Sequence, residues 1–331
     1  MKKIEKKPLK NTKFIDLFAG IGGFRIALES LGSKCVYSSE WDGAARETYE
    51  INFKEKPSGD ITKVNAKDIP KHDILCAGFP CQAFSISGNR KGFDDSRGTL
   101  FFDVARIVKE RRPQIVFLEN VKNFSTHDGG KTLAVVRDTL KELGYTFFYK
   151  VLNAADYGVP QKRERTYMVA FRENLKVYQF NFPQPFTLDN FVEDHLIKDP
   201  SLLETTHIKP RDDFQYMKEP PKKNQNKTIR VGIVGKGGQG ERIYSIKGVA
   251  PTFSAYGGGV FAKTGGFLIG ETARKLHPKE CLSLMGFPKE FEIHSSQNKA
   301  YQQIGNSVVI DVLQLIALAF SKHITHYSIT G

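Results

Sequence analysis

Short apolar runs alternate with helix-like segments through residues 14–171, and each run stops at a glycine or a polar residue. Residues 14–18 read as a strand, followed by the turn Ala19-Gly20-Ile21-Gly22-Gly23 and a helix over 24–31. A second strand, 35–39, ends at Glu40, and 43–52 has helical spacing. A third, 73–77, ends at Gly78-Phe79-Pro80 and is followed after a long polar stretch by a helix over 101–111. A fourth, 115–118, ends at Glu119-Asn120, with a helix over 131–143 closed by Gly144 and further β-rich runs at 145–152 and 166–171. This alternation predicts a parallel sheet covered by helices on both faces. Ligands of such sheets bind beyond the carboxyl ends of the strands. Gly20, Gly22, Glu40, Cys81 and Glu119 all stand at those ends.

The character changes near residue 180. Residues 181–230 are rich in proline and charge, and 231–270 are glycine-rich and β-leaning, which predicts a second, smaller domain of short strands and turns. Residues 307–325 return to a helical pattern. The most apolar segment, 308–320, contains Asp311 and Gln314 and falls short of the roughly 20 apolar residues of a membrane span. The basic N-terminus lacks the apolar run of a signal peptide. A soluble, cytoplasmic protein with no membrane association is expected. The four cysteines, 35, 76, 81 and 281, form no C-x-x-C pair, so neither a zinc site nor a disulfide framework is expected. Lys and Arg number 49 against 36 Asp and Glu, a net charge of +13. Such an excess is either a solvated basic face or the footprint of a polyanion.

Four motifs carry chemistry. Phe18-Ala19-Gly20-Ile21-Gly22-Gly23 lies between strand and helix, where glycines admit a ligand to the backbone and a helix N-terminus favours an anionic group. Arg25 occupies the place of the third glycine of a dinucleotide fingerprint, which disfavours NAD; a tight turn without a ligand is the plainer alternative. Glu40 can accept from ribose hydroxyls. Trp41, the sole tryptophan, is either a stacking face for adenine or a core residue. Cys81, just past a strand end, is either a thiolate nucleophile or a small buried apolar residue; Cys35, Cys76 and Cys281 read as the latter. The polar loop 85–98 that follows, with Arg90, Lys91 and Arg97, reads as a lid. Glu119 can hold or protonate a ring nitrogen, or form a surface ion pair. In Gln161-Lys162-Arg163-Glu164-Arg165 an arginine fork can grip a carboxylate, phosphate or carbonyl.

These motifs, with Pro80-Cys81-Gln82 and Gly305-Asn306-Ser307-Val308 in the same order, strongly resemble the DNA (cytosine-5)-methyltransferases from about residue 12 to 318. The segments 235–244 and 254–259 and the loop 84–88 resemble a bacterial modification-methylase branch of that family that methylates the first cytosine of G-C-G-C. The resemblance implies an α/β fold: a doubly wound, mostly parallel sheet of the S-adenosylmethionine-dependent methyltransferase type, with a smaller β-rich target-recognition domain. It implies a catalytic domain of residues 1–190 plus 301–331, a recognition domain over 191–275 and a hinge over 276–300. It implies S-adenosylmethionine as cofactor. Phe18 and Trp41 would flank the adenine, Glu40 take the ribose, and Asp60 with Ile61 contact the adenine edge. Gly20, Gly22 and Gly23 would approach the methionine part, Leu100 close over it and Asn306 lie beside it.

By the same resemblance Cys81 attacks the cytosine ring, Glu119 holds N3, and Arg165 binds the O2 edge with Arg163 nearby. Gln239 and Ser87 would fill the space left by a flipped base, and Arg242, Tyr244 and Thr252 would belong to the loops that read bases. Double-stranded DNA is the implied substrate, a cognate restriction endonuclease the functional partner, and a monomer the expected state. An RNA cytosine-5 methyltransferase is weakened by the lack of a Cys-Phe-Thr tripeptide. A DNA-binding relative without turnover is weakened by the intact Cys81, Glu119 and Arg165.

Overall fold

A computed structural model describes residues 7–80, 100–203, 206, 211–217 and 226–324. Cys81, Ser87 and the loop 82–98 lie outside the described residues. The chain divides into two compact units: residues 1–152, 164–183 and 313–331, and residues 153–163 and 184–312. The second unit takes in residues 153–163, 184–190 and 301–312 besides 191–300.

The first unit is built on β1 (Lys13–Leu17), β2 (Lys34–Ser39), β3 (Ile74–Ala77), β4 (Ile115–Val121), β5 (Tyr145–Asn153) and β6 (Glu164–Arg172). Among the described residues they form one sheet in the order β2-β1-β3-β4-β6-β5. The first four strands are parallel, while β6 runs antiparallel to β4. The helices are α1 (Gly23–Ser30), α2 (Gly43–Phe53), α3 (Leu100–Arg111) and α4 (Lys131–Glu142). The chain steps from β1 outward to β2, then crosses to β3 on the other side of β1. That reversal opens a crevice at the carboxyl ends of β1 and β3, the position at which open α/β sheets bind ligands.

Strand alternation assigns the two faces. Ile15, Leu17, Leu75, Val116, Leu118 and Met168 pack with Phe101, Val104 and Val108 of α3 and Leu133, Val136 and Leu140 of α4. On the opposite face Phe117 meets Phe24 of α1 edge-on at 5.2 Å and Phe320 at 5.4 Å. Phe320 belongs to the last helix, Ile310–Ser321, whose Gln314 donates to the Ser30 hydroxyl at 2.8 Å. The sheet is therefore doubly covered, as expected.

The second unit holds β7 (Phe214–Tyr216), β8 (Arg230–Val234), β9 (Arg242–Ser245), β10 (Gly266–Ile269) and β11 (Thr272–Lys275), in the order β11-β10-β9-β8-β7. Val231, Val234, Ile243, Phe261 and Ala273 give it a core of its own. Its glycine-rich loops pack backbone on backbone: a Cβ on Gly240 would stand 2.0 Å from the Gly258 carbonyl oxygen. Helix α5 (Pro278–Leu284) lies within the region expected as a hinge, and α6 (Gln297–Asn306) begins at its end. The helix expected from residue 307 begins instead at Ile310, as α7, because Ser307 is extended (φ −79°, ψ 170°). By length and composition, residues Gln297–Ser321 could cross a membrane; 67% of the relevant window is buried inside the protein.

Candidate active site

The register of the parallel strands fixes what meets at the crevice. Leu17 lies opposite Ser39 and Ala77, and Ala77 opposite Leu118, so these four form one row across the sheet. One residue further on come Phe18, Glu40, Gly78 and Glu119, side by side along the carboxyl edge.

On the β1–β2 side the turn wraps around Glu40. The Gly20 N–H donates to Glu40 Oε2 and the Asp42 N–H to Oε1, both at 2.8 Å. Phe18 and Gly20 both have φ +55°. Gly22 has φ +91°, and a Cβ there would stand 2.2 Å from the Phe53 ring, so only glycine fits. A Cβ on Gly20 would meet nothing within 4 Å, so the backbone beside Glu40 faces open space. Glu40 is buried; burial raises its carboxyl above the usual range, opposed by the two backbone donors. Trp41 is 78% exposed, which removes the core alternative. Asp60 accepts from the Thr62 N–H (3.0 Å) and hydroxyl (2.8 Å) through Oδ1, and these bonds lower its pKa. Ile61 is buried in the core. Leu100 opens α3 half-buried. An exposed aromatic face, a carboxylate bound to a glycine amide and open space between strand ends fit a nucleoside with free hydroxyls. Asn306 ends α6 in the second unit and is exposed.

The β3–β4 side is built around Phe79, two residues before Cys81 in the chain. Asn120 donates through Nδ2 to the Phe79 carbonyl at 2.9 Å and accepts the Val121 N–H at 2.8 Å. Phe79 packs on Phe101 and Phe124 at 5.8 and 5.4 Å. The Phe79 backbone is thereby fixed. Asn120, to which the sequence assigns no chemistry, is thus a buried anchor of the β3 end; its signal is an amide next to a strand-end acid. Glu119 Oε1 pairs with Arg165 Nε at 3.1 Å, and the two side chains are 10% and 13% exposed. The antiparallel course of β6 explains the meeting: Val121 lies opposite Arg165, so β6 enters the sheet where β4 leaves it. Glu119 is thus neither a surface ion pair nor free to swing.

Two expected residues stand elsewhere. Arg163 is buried in the second unit, donating to the carbonyls of Phe253 (3.2 Å), Gly305 (3.0 Å) and Ser307. Its Nη1 and Nη2 are thus engaged by main-chain acceptors. Tyr244 is buried in β9, 6.0 Å from the Phe267 ring and against Gly265. Only the first residue of β9 reaches the surface: Arg242 starts the strand partly exposed, donating weakly to the Gly237 carbonyl at 3.4 Å, and Ile243, Tyr244 and Ser245 after it are all buried. Gln239 and Thr252 are exposed, and the Thr252 hydroxyl donates to the Lys162 carbonyl.

Residues 12–322 match the family described as C-5 cytosine-specific DNA methylase. The chain is 61% identical over 318 residues to the type II methyltransferase M.HhaI of Haemophilus parahaemolyticus, covering 96% of each protein. It is 42% identical to the type II methyltransferase M.DsaV of Dactylococcopsis salina, covering 97% of this chain and 88% of that one. A crystal structure of a Spodoptera frugiperda DNMT2 mutant superposes with a TM-score of 0.70 at 21% identity, over 92% of this chain and 98% of the other, a likeness of fold.

Proposed function

Because the chain belongs to the C-5 cytosine-specific DNA methylases and is a DNA (cytosine-5)-methyltransferase, we propose that it methylates the first cytosine of G-C-G-C in duplex DNA, through a covalent bond between Cys81 and C6. The observation that carries this reading is the buried Glu119–Arg165 pair beside the strand end that leads to Cys81. C5 of cytosine is a poor nucleophile. Addition of the Cys81 thiolate to C6 moves the ring electrons toward C5 and N3 and makes C5 nucleophilic. Glu119 holds N3 and delivers a proton there as charge builds. Arg165 fixes the Glu119 carboxylate and takes the O2 edge. After C5 has gained a methyl group, loss of its proton restores the double bond to C6, expels the Cys81 thiolate and returns the N3 proton to Glu119.

The family uses S-adenosylmethionine as methyl donor, which when bound supplies an electrophilic methyl group. In this chain Phe18 and Trp41 would take the adenine, Glu40 the ribose hydroxyls, and Asp60 with Ile61 the adenine edge. The backbone of Gly20, Gly22 and Gly23, with Leu100 and Asn306, would take the remainder. The open space at Gly20 beside Glu40 and the exposure of Trp41 support this assignment.

A paired base must leave the stack to reach Cys81, at a cost of a few kcal/mol, offset by pocket and phosphate contacts. Gln239 and Ser87 would fill the space it leaves, and Arg242 and Thr252 would read neighbouring bases from a recognition domain formed by residues 191–275. The +13 charge supports a phosphate backbone as partner. The setting is a restriction-modification system in the cytoplasm, with a cognate endonuclease and a monomeric methylase. The test is transfer of labelled methyl from S-adenosylmethionine to duplexes holding G-C-G-C, each single-base variant and a tRNA. Label on G-C-G-C alone, abolished by Cys81→Ala, is expected. Label on another cytosine site would remove the recognition assignment, and turnover by Cys81→Ala would remove the covalent step.

A further inference from the structure

The motif around residue 163 holds a fully buried arginine whose terminal nitrogens grip main-chain carbonyls. Its Nη1 donates to the Phe253 carbonyl and its Nη2 to those of Gly305 and Ser307. These carbonyls come from two chain segments. One, 250–259, carries Thr252 and Tyr256; the other, the end of α6, carries Asn306. The two segments touch through their backbones: a Cβ on Gly305 would stand 2.2 Å from the Ala255 nitrogen and 2.3 Å from the Ser254 carbonyl carbon. A second tie runs at the surface, where Gln302 Nε2 donates to the Tyr256 hydroxyl at 3.0 Å. Arg163 is itself fixed, its N–H donating to Asn153 Oδ1 at 3.1 Å and its carbonyl accepting from Ala154 at 3.0 Å. The adjoining residue Lys162 holds the first segment at both ends of its backbone: its N–H donates to the Ala250 carbonyl at 2.8 Å, and its carbonyl accepts the Thr252 hydroxyl.

We infer that Arg163 is a positioning residue that locks the Thr252–Tyr256 segment to the Asn306 turn, so that binding of the cofactor and binding of DNA are coupled through it. The inference rests on the proposed function, which gives Asn306 to the cofactor and Thr252 to DNA. A planar guanidinium can bridge carbonyls of both segments at once, whereas a lysine ammonium at the end of a flexible stem acts as a point donor. With the bridge in place, ordering one segment orders the other, and the second ligand meets a site already formed. Without it each segment is ordered separately.

The experiment measures the affinity of a G-C-G-C duplex with and without saturating S-adenosylhomocysteine. The ratio is the coupling factor, expected for the wild type in the usual range of about 5–150. In Arg163→Lys the factor falls to within about twofold of 1, and methylation of single-base variant sites rises relative to G-C-G-C. A merely structural arginine would lower thermal stability and both affinities while leaving the ratio unchanged, and that result overturns the inference. If Arg163→Lys does not fold, amide exchange in the wild type carries the test: slowing at both 252–256 and 305–307 when S-adenosylhomocysteine alone binds supports the lock, and slowing at 305–307 alone overturns it. A wild type that binds both ligands with a factor of 1 also overturns it. A wild type that binds neither overturns the proposed function as well, which separates the two failures.

Discussion

Trp41→Ala separates a ligand-stacking tryptophan from a packing one with unusual clarity. A tryptophan in full contact buries about 150–250 Å². At 78% exposure only about a fifth of that is covered by the protein, roughly 50 Å², worth at most about 1 kcal/mol of folding stability at about 25 cal/mol per Å². The melting temperature of Trp41→Ala should therefore move by a few degrees at most. An aromatic face stacked on a base contributes about 1–3 kcal/mol, so the dissociation constant of S-adenosylhomocysteine should rise about 5–150-fold. Calorimetric titration of both proteins gives that number. The wild type offers a second readout, since Trp41 is the sole tryptophan and its fluorescence must change on binding. Unchanged affinity in Trp41→Ala, together with unchanged emission in the wild type, would refute the reasoning outright.

Two further perturbations test the sheet beneath the site. Arg165→Ala leaves Glu119 buried without its ion partner, a change that costs about 3–5 kcal/mol in comparable pairs; denaturant unfolding should register that loss and methyl transfer should fall below detection, whereas full stability would mean that the 3.1 Å pair carries no energy. Asp16 of β1 is fully buried, and burial, partly opposed by Arg25, pushes its carboxyl well above the usual range. With the folded pKa raised, its contribution to stability is fully present below the unfolded pKa and is lost as pH rises toward the folded one. Wild type should therefore weaken relative to Asp16→Asn by up to about 1.4 kcal/mol per pH unit above pH ~4; parallel stability–pH curves would show that Asp16 ionises normally.

The first unit was legible in the sequence because its elements are short, apolar and punctuated. The strand at 115–118 was found from its apolar run, though β4 continues through Glu119 and Asn120 to Val121, since polar residues at a sheet's edge still hydrogen-bond as strand. The expected positions of Glu40, Trp41 and Glu119 followed from strand ends alone. The antiparallel entry of β6 was not legible, because direction is a property of pairing and not of a single run; yet it is what brings Arg165 to Glu119. The burial of Arg163 and Tyr244 was not legible for a related reason. Both lie in motifs whose exposed members are polar, and nothing local distinguishes an arginine that grips carbonyls from one that meets a ligand. The break at Ser307 was hidden inside an apolar run, where helical spacing continues across a carbonyl that Arg163 takes up.

The position of Phe117, held between Phe24 and Phe320, has a consequence for biosynthesis. At about 5–20 residues per second, the ribosome delivers Phe320 about 10–40 s after Phe117. Through that interval the sheet has one ring of a central strand without its lid, and the whole second unit is made in the meantime. The first unit thus finishes folding only when its last helix emerges, and until then an apolar face stands open to chaperones.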